Sequence, residues 1–270
     1  FDERGHGLDR EDVRRRSGLL AASIGSSSLN GAEYKQPIYW NIAPEMDATV
    51  TPRLMSKRGL LVGGEFRYLA QEYSGIIEGQ LLDHDRLKGT SRNSYTLTHV
   101  QSFTPDFKGS LVLNGVSDDT FLSDLANSAT VAARTNLLRQ GALEYAGGWW
   151  NASVLAQSYR TLQDPSLPPV VKPYQRLPQI RLAATRADLP AGLALDFVGE
   201  HVAFRHDTLV EGRRFTTYPS LSLPIQTAGW FVTPKVGVHA TSYQLDRQAA
   251  GVPSRQSRTL PIASLDSGLI

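Results

Sequence analysis

No cysteine occurs among the 270 residues, which excludes a disulfide framework, a thiol nucleophile and a zinc–thiolate site. No run approaches the roughly 18 consecutive apolar residues of a membrane-crossing helix. Charge of one sign is lacking as well. Lys and Arg number 28 against 26 Asp and Glu, a formal net charge of +2, and there is no basic cluster beyond Arg14–Arg16. Nucleic acid is therefore not an expected partner. Charged residues make up 20% of the chain, below the roughly 25% of ordinary soluble domains. From Ser17 onward no 3.6-residue apolar stripe persists beyond three turns. No apolar signal region follows Phe1, and the chain is expected to be a piece of a longer protein.

What is present is alternation of period two, rich in Leu, Val, Tyr, Phe and Thr and broken by Gly, Pro, Asp and Asn. In residues 60–68, Leu60, Val62, Phe66 and Tyr68 share one face while Glu65 and Arg67 take the other. In residues 230–240, Trp230, Val232, Val236 and Val238 oppose Lys235 and His239. About fourteen such segments can be drawn between residues 17 and 270. Several reach the roughly 9–11 residues that a tilted strand needs to cross a bilayer. Short connections (104–106, 147–148, 187–191, 226–228) alternate with long polar ones (83–92, 117–136, 163–175, 205–212, 245–257). Trp149, Trp150 and Trp230 flank short turns, where an interfacial aromatic girdle would place them. The expected fold is all-β: an antiparallel up-and-down transmembrane β-barrel, here a partial barrel of about 12–14 strands. The same alternation also suits a large soluble meander or β-sandwich.

Catalysis finds little support. Asp118, Asp119 and Asp124 cluster, as do Asp83, His84 and Asp85, but both groups are expected in long loops as solvated turn formers. A calcium site at 118–124 would need several oxygen ligands at loop spacing, and is not the favoured reading. His99 and His239 stand alone. Gly63-Gly64 and Gly147-Gly148 lack the strand-to-helix context of a phosphate loop. No enzyme activity, cofactor or metal is expected.

Residues 15–69 are more specific. They contain Arg15-Arg16-Ser17-Gly18-Leu19-Leu20, Pro37-Ile38-Tyr39-Trp40-Asn41-Ile42-Ala43-Pro44, Asp47-Ala48-Thr49-Val50-Thr51-Pro52-Arg53, Ser56-Lys57-Arg58-Gly59 and Glu65-Phe66-Arg67-Tyr68-Leu69. In this order the chain resembles the LptD family, the lipopolysaccharide-assembly proteins of the Gram-negative outer membrane. Val116-Ser117-Asp118 with Phe121 and Asp124, and the closing Leu265-Asp266-Ser267-Gly268-Leu269, fit the same resemblance. It implies a translocon that receives lipopolysaccharide from a periplasmic LptA bridge and inserts it into the outer leaflet. Insertion would run through a lateral gate between the first and last barrel strands. It also implies a plug lipoprotein, LptE, contact with membrane lipid, and localisation in the cell outer membrane. Residues 1–16, with five acids and five arginines, are then a connector from a periplasmic jelly-roll domain, and residues 17–270 the first half of the barrel domain.

Proline cannot donate to a ladder and is depleted from strand interiors, yet Pro37 and Pro52 both fall inside strand-like segments. In hydrocarbon an unsatisfied backbone group costs several kcal/mol, so a seam short of donors is suited to opening sideways. By the resemblance, Pro37 and Pro52 belong to the gate, with Tyr39, Trp40 and Asn41 beside them. Both prolines are alternatively ordinary bulge or edge residues, and Trp40 alternatively a girdle residue. Arg53, Arg67 and Lys235, on polar faces, are candidate contacts for substrate phosphates, or simply wet-face residues. Two other classes compete: a diffusion porin or ligand-transporting outer-membrane barrel, and a soluble β-sheet glycan-binding protein.

Overall fold

A computed structural model describes residues 16–126, 129–166 and 168–270; most of the expected 1–16 connector lies outside them. The chain divides into two compact units, 1–95 and 96–270.

The first unit holds β1 (Gly18–Leu19), β2 (Ser23–Ser27), β3 (Gly31–Lys35), β4 (Ile38–Ala43), β5 (Met46–Met55), β6 (Gly59–Leu69), β7 (Tyr73–Asp85) and the start of β8 (Thr90–Thr104). β2 pairs antiparallel with β3, β4 with β5, β5 with β6 and β6 with β7, through turns of two or three residues. β3 and β4 keep a single register against β5, with Lys35 opposite Arg53 and Ile38 opposite Val50. They are one strand with a two-residue break at Gln36-Pro37. Across that strand β1 pairs with β4 and β2 with β3, the first strand carrying one extra residue in its bulge at 20–22. The alternation expected from sequence divides the faces. Val50, Leu54, Leu60 and Val62 are exposed on the apolar face. Asp47, Arg53 and Arg67 lie on the polar one. Residues 83–92 are not the long loop the sequence led us to expect. β7 runs to Asp85 and β8 begins at Thr90, leaving a tight turn that Gly89 closes at φ 71, a conformation glycine adopts without steric cost.

The second unit continues with β9 (Phe107–Val116), α1 (Phe121–Leu125), α2 (Ala129–Ala132), β10 (Asn136–Ala146), β11 (Trp150–Thr161), β12 (Gln175–Leu189), β13 (Leu193–Arg205), β14 (Glu211–Ser222), β15 (Ile225–Gln226), β16 (Trp230–Asp246) and β17 (Arg255–Leu269). It too is an antiparallel meander from β9 to β17. β14 and β15 share one register against β16, interrupted at Leu223-Pro224. Counting each of the three broken pairs once turns seventeen stretches into fourteen successive strands among the described residues. About 69% of the described residues are strand and 4% helix, so the fold is all-β and up-and-down, as expected.

Loop lengths alternate strictly in the second unit. One end carries 117–135, 162–174, 206–210 and 247–254, the other only two- or three-residue turns. Aromatic pairs gather at the short turns: Phe103 with Phe107 at 4.9 Å and Tyr145 with Trp150 at 4.5 Å. Trp149 and Trp230 are exposed beside them. In the first unit Tyr68 and Tyr73 flank the 70–72 turn at 5.9 Å. Rings at strand ends above a one-sided apolar wall are the layering of a membrane barrel.

Candidate functional site

The two prolines break two different ladders at one level of the same strand. On the β5 side, Gln36 N donates to Pro52 O at 3.2 Å. The reciprocal bond has no donor, because residue 52 is proline. On the β1 side, Leu20 N donates to Pro37 O at 2.9 Å, and again the return donor is missing. Here a side chain takes its place: Gln36 Nε2 donates to Leu20 O at 2.9 Å and to Pro37 O at 3.2 Å, while Gln36 Oε1 accepts from Tyr34 Oη at 3.0 Å. Leu20 faces Pro37 by continuing the β1–β4 register, at the edge of the one-residue bulge in the first strand. The two ladders flanking the strand of β3 and β4 are therefore each short of one main-chain donor, Pro37 on the β1 side and Pro52 of β5 on the other, and the first of the two is replaced by an amide.

Around this point the flanking candidates divide by face. Trp40 is 58% exposed on the apolar face with Ile38 and Ile42. Tyr39 and Asn41 are on the polar face. Tyr39 Oη donates to Asp47 Oδ2 at 3.1 Å, Asn41 stands opposite Asp47, and Asn41 N donates to Ser17 Oγ at 2.8 Å. Asp47 is buried and receives Arg67 as a fork, Nε at 2.7 Å and Nη2 at 2.9 Å. Such bidentate pairs are the strong form of the carboxylate–guanidinium contact. Arg53, itself buried, is bound to Glu33 at 2.7 Å. Lys235, in the other unit, bonds Asp196 at 3.0 Å. The structure gathers Tyr39, Asn41 and Arg67 around Asp47, and places Pro37 and Pro52 beside Gln36, five residues before Asn41 on the same strand. Each candidate cation has an internal carboxylate partner.

Sequence reading missed the most buried polar group of the first unit. Asp85 is 0% exposed and accepts from Arg58 Nη1 at 2.6 Å, Arg92 Nη1 at 3.0 Å and Leu87 N at 3.0 Å. Arg58 Nε also donates to Asn30 Oδ1 at 2.8 Å, tying the 28–30, 56–58 and 86–89 turns together. The signal was weak, because Asp85 and Arg92 read as loop polarity rather than as strand ends facing each other. Asp118, read as a turn former, is one: it accepts from Thr120 N at 3.1 Å ahead of α1.

In the second unit the polar face carries Glu200, bound by Arg214 and by Gln179 Nε2 at 2.8 Å. At the long-loop end His206 is buried and organises three loops. Its Nδ1 accepts from Thr208 N at 3.1 Å and Leu209 N at 2.9 Å, so its Nε2 donates to Lys172 O at 3.0 Å. Tyr174 Oη donates to Val210 O at 2.6 Å, and Arg247 Nη1 to His206 O at 2.9 Å. Outside the strands, the Lys172 ammonium at 2.5 Å holds the Asp207 carboxyl below its ordinary range through a hydrogen bond and charge. Among the described residues, no group of three or more His, Asp or Glu is placed to hold a metal ion.

The family model for LptD, described as LPS transport system D, matches residues 90–270. The LPS-assembly protein LptD of Azoarcus sp. (strain BH72) is 50% identical over 262 residues, covering 95% of this chain and 32% of that protein. The protein of the same name from Aromatoleum aromaticum is 47% identical over 260 residues, covering 95% and 32%. That of Nitrosococcus oceani is 43% identical over 261 residues, covering 96% and 35%. The chain thus spans about a third of the length of these relatives.

Proposed function

Because this chain belongs to the LptD family, we propose that it forms part of the wall of an outer-membrane barrel that delivers lipopolysaccharide to the cell surface. Residues 17–270 supply the opening strands of the barrel domain, and residues 1–16 connect them to a periplasmic jelly-roll domain that receives substrate from an LptA bridge. LptE plugs the barrel. Acyl chains leave sideways through a gate between the first and last strands, while the sugars pass along the polar face. The residues do no bond chemistry. Their work is to hold a polar track and a separable seam.

One observation supports this reading: the two ladders flanking the second strand, next to the first strand of the gate, each lack one main-chain donor at one level, Pro37 opposite Leu20 on one side and Pro52 opposite Gln36 on the other. In hydrocarbon no water substitutes for a missing partner, so this level is where a strand separates most readily. Tyr39 and Asn41 line the polar side of the gate and Trp40 its lipid side. Arg53, Arg67 and Lys235 lie along the polar track as ion pairs with Glu33, Asp47 and Asp196.

A photoreactive residue at Trp40 of the full-length protein tests this. A covalent lipopolysaccharide adduct is expected there and not at Trp230, which is exposed on the apolar face beside a short turn. Adducts of equal yield at both positions, or at neither, contradict the gate.

A further inference from the structure

On the apolar wall of the second unit, side chains change character row by row. Trp230 stands beside the short turn. Val236, opposite Leu221, lies in the apolar band. Next to last comes a row of His201, Phe215, Ser242 and Ser257, and above it Arg213, Gln244 and Arg255 stand in register across three strands. At about 3.4 Å per residue and a tilt near 40°, the Arg213–Arg255 row is roughly 20 Å nearer the long loops than Val236. That is the depth of a headgroup layer.

These last two rows line a shallow cavity of about 500 Å³ that contains no carboxylate side chain. Arg213 and Arg255 are exposed, and among the described residues neither has an ion-pair or hydrogen-bonding side-chain partner. They differ in this from Arg53, Arg67, Arg214 and Lys235, which all have internal acids. One row further out, Glu211 is bound by Arg205 and Arg247, and Asp246 is exposed. That end of the wall thus sets four guanidinium groups against two carboxylates. Two ladder spacings separate the Arg213 and Arg255 backbones, about 9.5 Å.

We propose that this cavity binds the headgroup of a bis-phosphorylated glycolipid of the outer leaflet, one phosphate to each of Arg213 and Arg255. Phe215 and the apolar rows below would lie against its acyl chains. Guanidinium forks suit phosphate, two cations this far apart suit two phosphates on one sugar headgroup, and the wall below is apolar. The choice of lipid rests on the lipopolysaccharide-delivery reading, which puts the long loops outside.

The test uses the full-length protein purified in detergent and titrated with bis-phosphorylated lipid A, dephosphorylated lipid A or phosphatidylglycerol, bound lipid being counted by native mass spectrometry. Arg213→Gln with Arg255→Gln should weaken binding of bis-phosphorylated lipid A about tenfold or more. Dephosphorylated lipid should bind the unmodified protein as weakly as it binds the variant. Both side chains are exposed, and heat-modifiable gel mobility reports that the variant is folded. Arg213→Lys with Arg255→Lys, which keeps the charge, should retain most of the binding. Equal retention of bis-phosphorylated lipid A by unmodified protein and Gln variant overturns the site. Equal affinity of the unmodified protein for phosphatidylglycerol overturns the glycolipid assignment. Binding is read without export, so a missing adduct at Trp40 and an inert Arg213–Arg255 pair are separate outcomes.

Discussion

Gln36 Nε2 lies 2.9 Å from the carbonyl of Leu20, in the place of the main-chain N–H that Pro37 does not have. The substitution is local and one-sided. The β1–β4 register sets Leu20 opposite Pro37, and the amide of the residue preceding that proline reaches across. The other proline, Pro52, has no such stand-in from Gln36, whose side chain is committed to the opposite edge. At this level one side is held by one main-chain bond and a rotatable side chain, the other by one main-chain bond.

This arrangement predicts a thermodynamic cycle. Gln36→Ala should lower the unfolding free energy of the refolded barrel by about 0.5–1.5 kcal/mol, the net worth of an ordinary hydrogen bond. In a Pro37→Ala background the same change should cost less, because the new N–H serves the Leu20 carbonyl. Additive effects in denaturant titrations would show that the amide does not replace the proline's missing donor.

Asp85 between Arg58 and Arg92 sets a larger effect. Removing one partner of a buried ion pair typically costs about 3–5 kcal/mol, so Asp85→Ala should reduce heat-resistant folding sharply. Replacing all three, with Asp85→Leu, Arg58→Met and Arg92→Met, should recover much of the loss. Failure of the triple variant where Asp85→Ala folds normally would reverse this account.

His206→Ala removes one acceptor shared by two N–H groups, and one donor, at the long-loop end, roughly 1–3 kcal/mol of local stability. Residues 162–174 should then be cut faster by protease while the strands stay intact. The neighbouring Lys172–Asp207 clip adds an acid sensitivity. Because the Asp207 carboxyl is held below its ordinary range, its contribution is present above that range and lost as pH falls below it. Unchanged cleavage in the variant would leave His206 without this role.

Much of the fold was legible because period-two alternation fixes both strand and face: residues 60–68 and 230–240 divide as the sequence implied. Strand ends were not. Asp83, Asp85 and Arg92 carry the polarity of loops, and nothing in sequence shows that Arg58 waits across a turn to pair Asp85. The prolines could be picked out, but not Gln36, whose role depends on the register that sets Leu20 of the neighbouring strand opposite Pro37. Lys235 was visible as a wet-face cation. Its partner Asp196, 39 residues away, follows only from the register of β13, β14 and β16.

Topology follows from the alternation of loops. Bacterial barrels place short turns in the periplasm and long loops outside. A cysteine at Thr208 should react with a membrane-impermeant maleimide in intact cells, and one at Thr227 should not. The reverse pattern would invert the barrel and remove the headgroup site at Arg213 and Arg255.

The most direct test of the gate is the rate at which pulse-labelled lipopolysaccharide reaches the surface in cells whose only copy carries Pro37→Ala and Pro52→Ala. Each alanine offers one N–H, to the second lone pair of the Leu20 carbonyl and to the Gln36 carbonyl. Two added bonds bias the seam toward closure by roughly 1–3 kcal/mol. A normally folded and inserted double variant should therefore deliver lipopolysaccharide several-fold more slowly. Delivery at the unmodified rate by such a variant would contradict the account and leave both prolines as ordinary breaks in a barrel wall.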